Sequence, residues 1–544
     1  MTDRFYLTTA IAYANSRPGL HTLFEVVGAD TIARWHRMRG DDTYFLTGTD
    51  EYSVNIAQTA TERGTTPKAF VDDMVALFRT AEDALTISPD RFIRTTDPDH
   101  QVAVHEMLRR AYANGDLYKG TYEGWYCPNE GFIPPSQLVE DASGTHCANH
   151  PTIELQWLSE RNWFFRLSAY QERLERYFAD HPEWVQPEYR RNEMLGFMRQ
   201  GLEDFSVSRE GAPWGIPFPI REDGSSAQLP DGSWDPAAGT VYVWFDALTN
   251  YITGVGFPDD TARFERWWPA DVQIIGKDIN RLHTIVWPAM LMSAGLPLPR
   301  LVWVHGWLLV QGERMSKSRG NFLDPIDVVA ALGSDGARYC TLREVAFDRD
   351  SDVSWDSFVR RYNADLANDL GNLVNRTVTM ANRYLEGERP APTAVVGSIV
   401  AAWTHAQAAW SAGLAGYLLH DALAGLWGLV GAANQLVDLE KPWVLAKAAA
   451  SGDAGAGERL RGVLGDLVEA CRLVALAAAP FMPQAAPRIL AQLGYEYPYG
   501  PDGNGGPPLA AELRWGAHEA EPGRVGTAAP VFPRLDVDAT TPAA

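Results

Sequence analysis

Residues 5–38 read FYLTTAIAYANSRPGLHTLFEVVGADTIARWHRM. The apolar run at 5–12 predicts a buried strand, residues 15–19 predict a loop, and apolar residues at helical spacing predict a helix over 21–38. A strand, a glycine-containing loop and a helix form the opening unit of an α/β nucleotide-binding fold, where the helix N-terminus offers free N–H groups to phosphate. Neither a GxGxxG nor a GxxxxGK[ST] loop follows.

The next strand, predicted at 43–49, ends at two acidic residues, Asp50 and Glu51. Ligands of parallel sheets bind at the carboxyl ends of the strands, so these carboxylates are candidates for a binding site. The same α/β pattern returns later, with predicted strands at 241–245, 272–275 and 301–305 and a helix at 277–292. Short aromatic strands and Pro/Gly turns between 116 and 235 predict an insertion, and the chain is helical and rich in Ala and Leu from about 355.

The composition describes a folded, acidic, multi-domain protein. The chain has 544 residues, and 47 Lys and Arg against 69 Asp and Glu give a net charge of −22. Its apolar and aromatic content excludes a disordered, collagen-like or coiled-coil protein. Four cysteines are too few for a disulfide scaffold and favour a reducing compartment, so we expect a cytoplasmic protein. The apolar stretch 473–486 is broken by Pro480 and Pro483, and no transmembrane helix is expected.

A basic loop at 312–321 reads GERMSKSRGN and places three cations, Arg314, Lys317 and Arg319, between two glycines. Such a loop suits the neutralisation of a polyphosphate. Taken alone, such a loop is more often a solvated turn. Its position after a split nucleotide-binding sheet favours the functional interpretation.

This loop resembles the KMSKS signature of class I aminoacyl-tRNA synthetases, and the chain as a whole resembles the methionyl-tRNA synthetase family. The resemblance rests on TTAIAYAN at 8–15, FLTGTDE at 45–51, RNE at 191–193, WGIP at 214–217, YVWFDALTNY at 242–251, IGKDI at 275–279, His283 with WP at 287–288, ADLANDLGN at 364–372 and KPW at 441–443.

The resemblance implies a fold of class α/β, with a split Rossmann catalytic domain, an inserted connective domain and an all-α anticodon-binding-like helical bundle. The expected boundaries are 1–115 and 236–330 for the two Rossmann halves, 116–235 for the insertion, 331–360 for a stem-contact segment, 361–496 for the helical bundle and 497–544 for a Gly/Pro/Ala-rich tail.

The resemblance also implies an amino-acid pocket, in which Asp50 holds the substrate ammonium. The residues expected to enclose the side chain are Ile11, Tyr13, Trp244, Leu248, Tyr251, Leu282, His283 and Trp287. A carboxylate beside an apolar aromatic box suits a zwitterion with an uncharged side chain, such as methionine or a similar small neutral amino acid. The alternative is that these aromatic residues simply belong to the core. Tyr52, Ser53 and Leu282 depart from the family pattern.

The ATP site departs from the family most clearly at the first helix. The family reads Pro-His-Leu-Gly-His there, and its two imidazoles stabilise the ATP phosphates; this chain reads Pro18-Gly-Leu-His-Thr22. His21 could restore the lost imidazole or could block the adenine site. The predicted catalytic residues are Lys317, Arg314 and His21, and the predicted ATP-binding residues are Gly19, Thr22, Gly276, Asp278, Ser316, Lys317 and Ser318, with ATP and Mg²⁺ as the substrate complex.

A partial zinc knuckle is predicted in the insertion. Cys127, Glu130, Cys147 and His150 resemble a Cys-x-x-Cys plus Cys-x-x-His tetrad with Glu in place of one Cys, and Zn²⁺ accepts carboxylates as well as thiolates. Asp141 or His146 could substitute as a ligand. The alternative is a lapsed site with two reduced thiols.

The helical region offers few cations to a nucleic acid. No Lys or Arg lies between Arg389 and Lys441, although neutralising phosphates is what gives affinity for tRNA. Trp443 matches a base-stacking Trp of the family, but a Trp before a helix is as often part of the core. The local charge therefore argues against tRNA as a partner.

Three functions follow from these observations. The favoured one is a methionyl-tRNA synthetase-like ligase that activates an amino acid with ATP and transfers it to an acceptor other than tRNA. An example is an N-hydroxylated amine, whose ester a partner cupin would rearrange into an N–N bond. The second is a methionine–tRNA ligase with an aberrant signature. The third is a non-catalytic amino-acid sensor. No membrane partner is expected, and the chain lacks the extra C-terminal dimerisation domain of some family members, which favours a monomer.

Overall fold

The computed structural model of the chain describes residues 3–127, 131–133, 138–141, 144–147, 153–315, 321–394 and 397–536. The strands are β1 (Arg4–Thr9), β2 (Ala12–Tyr13), β3 (Asp42–Asp50), β4 (Arg91–Arg94), β5 (Leu117–Cys127), β6 (Gly131–Phe132), β7 (Leu138–Asp141), β8 (Gly144–Cys147), β9 (Gln156–Phe165), β10 (Val185–Gln186), β11 (Phe205–Ser206), β12 (Ser208–Arg209), β13 (Thr240–Val241), β14 (Val272–Gly276), β15 (Val302–His305), β16 (Leu308–Val310), β17 (Glu313–Arg314) and β18 (Ser351–Val353).

The helices are α1 (Leu20–Arg39), α2 (Val54–Glu62), α3 (Pro67–Ala84), α4 (Pro98–Ala113), α5 (Gln171–Asp180), α6 (Glu188–Met198), α7 (Val243–Leu248), α8 (Asn250–Thr253), α9 (Thr261–Trp267), α10 (Trp287–Ser293), α11 (Pro325–Glu344), α12 (Trp355–Arg361), α13 (Asn372–Tyr384), α14 (Gly397–Ala415), α15 (Leu419–Glu440), α16 (Pro442–Ala450), α17 (Ala454–Ala478), α18 (Ala485–Gln492) and α19 (Leu509–Glu512). Two wide-turn π segments, Leu282–Val286 and Tyr362–Gly371, lead into α10 and α13.

A parallel sheet organises the catalytic region. Its strand order is β10-β15-β14-β1-β3-β2, and β4 also pairs with β3. All of these pairings are parallel. The interior strand β1 is buried on both faces because helices cover the sheet on each side. The predicted α/β class with a following helical region is therefore confirmed.

The two faces of this sheet belong to different cores. Phe5 and Leu7 of β1 pack into a cluster with α1, α11 and the helices that follow residue 355. Tyr6, between them, points to the opposite core, which includes α4, α10 and part of the antiparallel segment between β5 and β13. Successive side chains of a strand point to opposite faces, so Phe5 and Leu7 share one core and Tyr6 lies in the other. The core on the first face also contains the buried residues of the helical region.

The segment that begins at β5 is antiparallel at first. β5 pairs with β9 over ten residue pairs, and β7 pairs with β8 in a small hairpin. This agrees with the predicted short aromatic strands, but the same segment also contains helices α5 and α6. Its short strand β10 then joins the parallel sheet beside β15.

One predicted strand is wrong. Residues 241–245 were expected to be a strand, but the strand stops at Val241 and α7 begins at Val243. The run of β-branched and aromatic residues is typical of a strand, yet Phe245 and Leu248 must both reach the same core, and a helix places residues three apart on one face.

One helical stretch of the described residues, Leu419–Ala450, is long and apolar enough to cross a membrane. Half of its most apolar window is buried against other helices. A core helix of a soluble bundle meets the same length and hydropathy criteria, so the stretch is weak evidence for a membrane span.

Candidate active site

The carboxyl ends of four neighbouring strands form one edge of the parallel sheet. β1 ends at Thr9, β3 at Asp50, β14 at Gly276 and β15 at His305. Because the strands are parallel and adjacent, their ends lie on the same side. Most of the predicted site residues lie at this edge or on the helices that follow it.

Asp50 is a buried carboxylate with an unused oxygen. Its side chain lies at the end of β3, the residue is 7% exposed, and its Oδ1 accepts no hydrogen bond from the described residues. Burial raises the pKa of Asp50 well above its ordinary value, and the nearby Asp246 carboxyl raises it further. A bound cation would relieve both effects, so this position suits an ammonium group.

The neighbouring Glu51 is fully committed to the fold. Its two carboxylate oxygens accept hydrogen bonds from the Arg94 guanidinium, at 2.6 and 2.8 Å, and from the hydroxyls of Thr49 and Thr96 at 2.7 Å each. Only Asp50 of the acidic pair therefore remains available to a ligand.

Asp246 forms a second acidic group that sequence reasoning missed. One of its oxygens pairs with Nε2 of the fully buried His100 at 2.7 Å, while Oδ2 has no partner among the described residues. Burial raises the pKa of Asp246 despite that pair. The only signal in the sequence was its place in the 242–251 motif.

We call Asp50, Leu248, Tyr251, His283 and Trp287, all predicted for the amino-acid site, the apolar pocket. Leu248, Tyr251 and Trp287 belong to one buried cluster, and a hydrogen bond joins Tyr251 to His283. The Tyr251 hydroxyl and His283 Nε2 lie 2.6 Å apart, and His283 Nδ1 lies 3.0 Å from the Ile279 carbonyl oxygen. Nδ1 must donate to that carbonyl, so Nε2 accepts from the hydroxyl. Burial lowers the pKa of His283 to about 4, which keeps the ring neutral.

The other residues predicted for this pocket fall into two groups. Ile11 and Leu282 are partly buried against the same core cluster as Leu248, Tyr251 and Trp287. Tyr13 packs instead into a separate cluster beside α2 and α3, where its hydroxyl meets Ser53 Oγ at 2.5 Å. Trp244 is half-buried in the first turn of α7.

The start of α1 shows where the displaced histidine lies. Gly19 is the N-cap of α1 and has no side chain to cap it. A Cβ atom at position 19 would lie 2.6 Å from His21 Nδ1 and 2.6 Å from Phe322 Cε2. The imidazole of His21 therefore fills the space that a side chain at residue 19 would enter. Thr22 follows it, half-buried, and its backbone N–H donates to the Gly19 carbonyl at 3.0 Å.

The segment that follows the basic loop is attached to this helix start. The Leu20 N–H donates to the Leu323 carbonyl at 3.0 Å, and the rings of His21 and Phe322 meet edge to face. Arg17 lies over the Phe322 ring and pairs with Asp324 at 3.1 Å. We call Gly19, His21, Gly276, Asp278, His305 and Phe322 the helix-start region.

A buried ion pair connects α1 to the sheet edge. Glu25 accepts the Ala10 N–H at 2.5 Å with one oxygen and lies 2.7 Å from His305 Nε2 with the other. His305 Nδ1 lies 2.7 Å from the Gly306 carbonyl. Both ring nitrogens thus face acceptors. Burial opposes the charge, but the bond to Glu25 outweighs it and raises the pKa of His305.

The basic loop is described only at its two ends. Arg314 closes the β16–β17 hairpin, and the Asn321 amide donates to its carbonyl at 3.2 Å. The Arg314 guanidinium lies 3.4 Å from the centroid of the Trp307 ring. Ser316, Lys317, Ser318 and Arg319 lie outside the described residues.

The candidate zinc site is described in part. Cys127 and Cys147 are fully buried in one small cluster with Ile133 and Leu155, while Glu130 and His150 lie outside the described residues. The reserve ligands Asp141 and His146 lie 3.6 Å from each other. Among residues that the structure describes, no group of three ligating side chains surrounds a single point.

A second candidate site lies in the helical region. A cavity of about 260 Å³ is lined by Asn375, Arg376, Thr379, Met380, Arg383, Tyr384 and Trp443. Trp443 is 44% exposed, so it is not a core residue. The sequence analysis considered cations between 389 and 441, but those beside Trp443, Arg376 and Arg383, come from the earlier helix α13.

Known proteins are similar to this chain over nearly its whole length. Residues 5–378 match the family described as "tRNA synthetases class I (M)". The methionine–tRNA ligase of Thermosynechococcus vestitus is 40% identical over 99% of both chains, and that of Caldanaerobacter subterraneus subsp. tengcongensis is 42% identical over 91% of this chain and 74% of its own. The structure of Mycobacterium tuberculosis methionyl-tRNA synthetase in complex with methionyl-adenylate superposes with a TM-score of 0.89 at 38% identity, covering 98% of this chain and 100% of that one.

Proposed function

The chain belongs to the class I methionyl-tRNA synthetase family, and from this premise we propose that it is a methionine–tRNA ligase with a rearranged helix start. In the first step the methionine carboxylate attacks the α-phosphate of ATP, forming methionyl-adenylate and releasing pyrophosphate. In the second step a ribose hydroxyl at the 3′ end of tRNA attacks the acyl carbon and AMP leaves. The family itself makes the protein a class I aminoacyl-tRNA synthetase, an ATP-dependent ligase.

The unused oxygen of Asp50 carries this proposal. A buried carboxylate oxygen without a hydrogen-bond partner is costly, and a bound ligand can supply the missing partner. An α-ammonium on Asp50 would direct an uncharged side chain toward Leu248, Tyr251 and Trp287. Ile11, Tyr13, Trp244, Leu282 and His283 would complete the boundary of the pocket.

The phosphates of ATP would bind at the helix-start region. We assign ATP to Gly19, Thr22, Gly276, Asp278, Ser316, Lys317 and Ser318, with Mg²⁺ bound to the triphosphate. Arg314 and Lys317 would neutralise the leaving pyrophosphate, and His21 would donate a hydrogen bond to the phosphates. The position of the His21 ring supports the restoring role over the blocking one, because the ring occupies the space of a side chain at residue 19, where the family has its first histidine.

Transfer to tRNA is supported by the cavity beside Trp443. A half-exposed aromatic ring with Arg376 and Arg383 at its rim combines a stacking surface with phosphate-neutralising cations. The acceptor other than tRNA that the sequence favoured draws no support from the relatives, whose names all specify tRNA. A cupin partner draws none either.

Zinc remains part of the proposal for the connective segment. Two buried reduced thiols in one cluster fit the sulfur half of a structural site. We expect about one zinc per chain after a chelator wash, measured by elemental analysis. Cys127→Ser should lose the metal, whereas Cys471→Ser, which changes a buried thiol of α17, should keep it. Metal-free wild-type protein would retire the site.

We place the reaction in the cytoplasm, where a tRNA ligase acts and where the four reduced cysteines would be stable. A monomer stays a prediction, and light scattering of the purified chain would test it.

Two assays test the function in sequence. Methionine-dependent exchange of pyrophosphate into ATP is expected, and its absence for all twenty amino acids would favour the sensor alternative. Charging of initiator or elongator tRNA with methionine should follow. Robust exchange without charging would instead support an acceptor other than tRNA.

A further inference from the structure

Trp307 lies between two cations. The Lys277 Nζ is 3.7 Å from the centroid of the Trp307 ring, and the Arg314 guanidinium carbon is 3.4 Å from it. Two groups this close to one centroid would overlap on a single face of the ring. The cations therefore occupy opposite faces, and the electron-rich ring separates two charges that would otherwise repel.

The tryptophan is a fixed platform. Its backbone N–H donates to Asp350 Oδ1 at 2.9 Å, and its carbonyl accepts the Ser351 N–H at 2.9 Å. The preceding Gly306 allows this contact, because a Cβ there would lie 2.0 Å from the Arg349 carbonyl carbon. The ring thus projects from a backbone that is held on both sides.

The two cations differ in how firmly they are held. Lys277 pairs with Asp350 Oδ2 at 2.5 Å, so one carboxylate binds both the platform backbone and the first cation. Arg314 has an exposed side chain and no carboxylate partner within the described residues. Its stacking on Trp307 is the contact that orients it.

The location of this arrangement indicates its ligand. Lys277 follows Gly276 at the end of β14 and precedes Asp278, while Arg314 precedes the basic loop with Lys317 and Arg319. Two cations held apart at this edge suit an extended polyanion better than a single carboxylate.

We propose that Trp307 is a positioning residue that holds Lys277 and Arg314 as a seat for the pyrophosphate group of ATP. This inference rests on the proposed ATP-dependent activation. Trp307 itself touches no reacting atom. It acts by presenting two charges at a set distance, so its loss should weaken pyrophosphate and ATP without changing the amino-acid pocket.

The test compares Trp307→Leu, which removes the aromatic face, with Trp307→Phe, which keeps one. Calorimetry with inorganic pyrophosphate should give a Kd about tenfold weaker for Trp307→Leu, and the KM of pyrophosphate and ATP in exchange should rise by a similar factor. The KM for methionine should stay within about twofold, and Trp307→Phe should recover most of the affinity. Trp157→Leu, an exposed tryptophan of β9, serves as the control and should change nothing.

Each outcome has a distinct meaning. Equal pyrophosphate affinity of Trp307→Leu and wild type would overturn the positioning role. Thermal melting will show whether Trp307→Leu folds. If it does not, Lys277→Met is the second variant, because it leaves the ring in place. Its pyrophosphate affinity should fall about as far as we expect for Trp307→Leu, and unchanged affinity would overturn the seat. Wild-type protein that binds pyrophosphate at this seat but shows no exchange with any amino acid would defeat the proposed function and leave the seat standing.

Discussion

His283 in the apolar pocket and His305 in the helix-start region are both buried, yet their pKa values move in opposite directions. His283 has a hydroxyl donor on one nitrogen and a carbonyl acceptor on the other, and burial keeps it neutral. His305 faces a carboxylate and a carbonyl, and the carboxylate raises its pKa although burial opposes the charge. Because both rings are buried, the opposite directions of their pKa shifts come from their different hydrogen-bond partners.

The same contrast extends to what each region still lacks. In the apolar pocket, Tyr251 and His283 already bond to each other, whereas Asp50 Oδ1 has no partner among the described residues and is the acceptor that we assign to a cation. The helix-start region contains two histidines and the backbone of Gly19, and the basic-loop residues that we assign to ATP with it, Ser316, Lys317 and Ser318, lie outside the described residues. In our proposal the first region binds the amino acid and the second binds ATP, and the predictions below test that division.

The largest effect is expected at Asp50. Asp50→Ala removes the partner of a buried ammonium, which should weaken methionine by about 10³-fold or more. Calorimetry with methionine measures this, and Asp73→Ala, an exposed carboxylate of α3, is the control. Unchanged affinity would show that the ammonium binds elsewhere.

The helix-start region should respond to changes at Gly19 and His21 as a pair. His21→Ala removes a donor from the phosphates and should lower kcat of exchange by about 10²-fold. Gly19→His alone should be as damaging, because its side chain would meet the His21 ring. Gly19→His combined with His21→Gly returns one imidazole to the same space and should recover at least about tenfold of the loss.

That double variant also separates the two roles considered for His21. If the ring blocks ATP, His21→Ala should raise exchange and the double variant should bring no recovery beyond it. Undiminished turnover of His21→Ala would remove the residue from the mechanism.

The opposite pKa shifts of the two histidines predict opposite pH dependence of stability. The unfolded chain binds a proton at His283 near pH 6.5, while the folded protein binds it only near pH 4, so the free energy of unfolding should fall by about 3 kcal/mol across that window as pH drops. Urea unfolding at pH 7, 5.5 and 4.5 measures this, and His283→Gln should flatten the curve.

His305 provides the matched comparison. Its raised pKa contributes stability below about pH 6.5 that is lost as pH rises through the folded pKa, so His305→Gln should flatten the curve on the alkaline side. If both variants flatten the same side of the curve, the assigned charges are wrong.

The smallest effect is expected at the cavity beside Trp443, which lies outside the apolar pocket and the helix-start region. Trp443→Ala removes a half-exposed stacking surface and should lower the rate of tRNA charging about tenfold while leaving pyrophosphate exchange unchanged. Leu439→Ala, an exposed residue near it at the end of α15, is the control. Equal charging by Trp443→Ala and wild type would remove the cavity from tRNA binding.

Much of the scaffold could be predicted from local patterns. The strand and helix of 5–38, the strand that ends at Asp50 and the strands β14 and β15 follow from apolar periodicity and appear within a few residues of their predicted bounds. The run at 241–245 could not be read correctly, because the requirement that Phe245 and Leu248 share one core is not visible in a local window.

The ring of His21 illustrates the same limit within the site. Its position in the chain and the loss of the neighbouring imidazole were visible in the sequence, but the orientation of the ring depends on Phe322, about three hundred residues away. The stacking of Lys277 and Arg314 on Trp307 likewise joins three separate segments, and the cations beside Trp443 come from a helix that the sequence places some sixty residues earlier.

Residue order was sufficient to establish which chemical groups the protein has and which strand ends carry them, since burial patterns and motif spacing are local properties. Packing between distant segments alone decided which of those groups keep an unpaired polar atom and which have shifted pKa values. Asp50 and Glu51 are adjacent acids in the chain, but they differ in the folded protein. Arg94 reaches across from β4 to bond Glu51, whereas Asp50 lies near Asp246 and keeps an oxygen without a partner among the described residues, which makes Asp50 the candidate binding group.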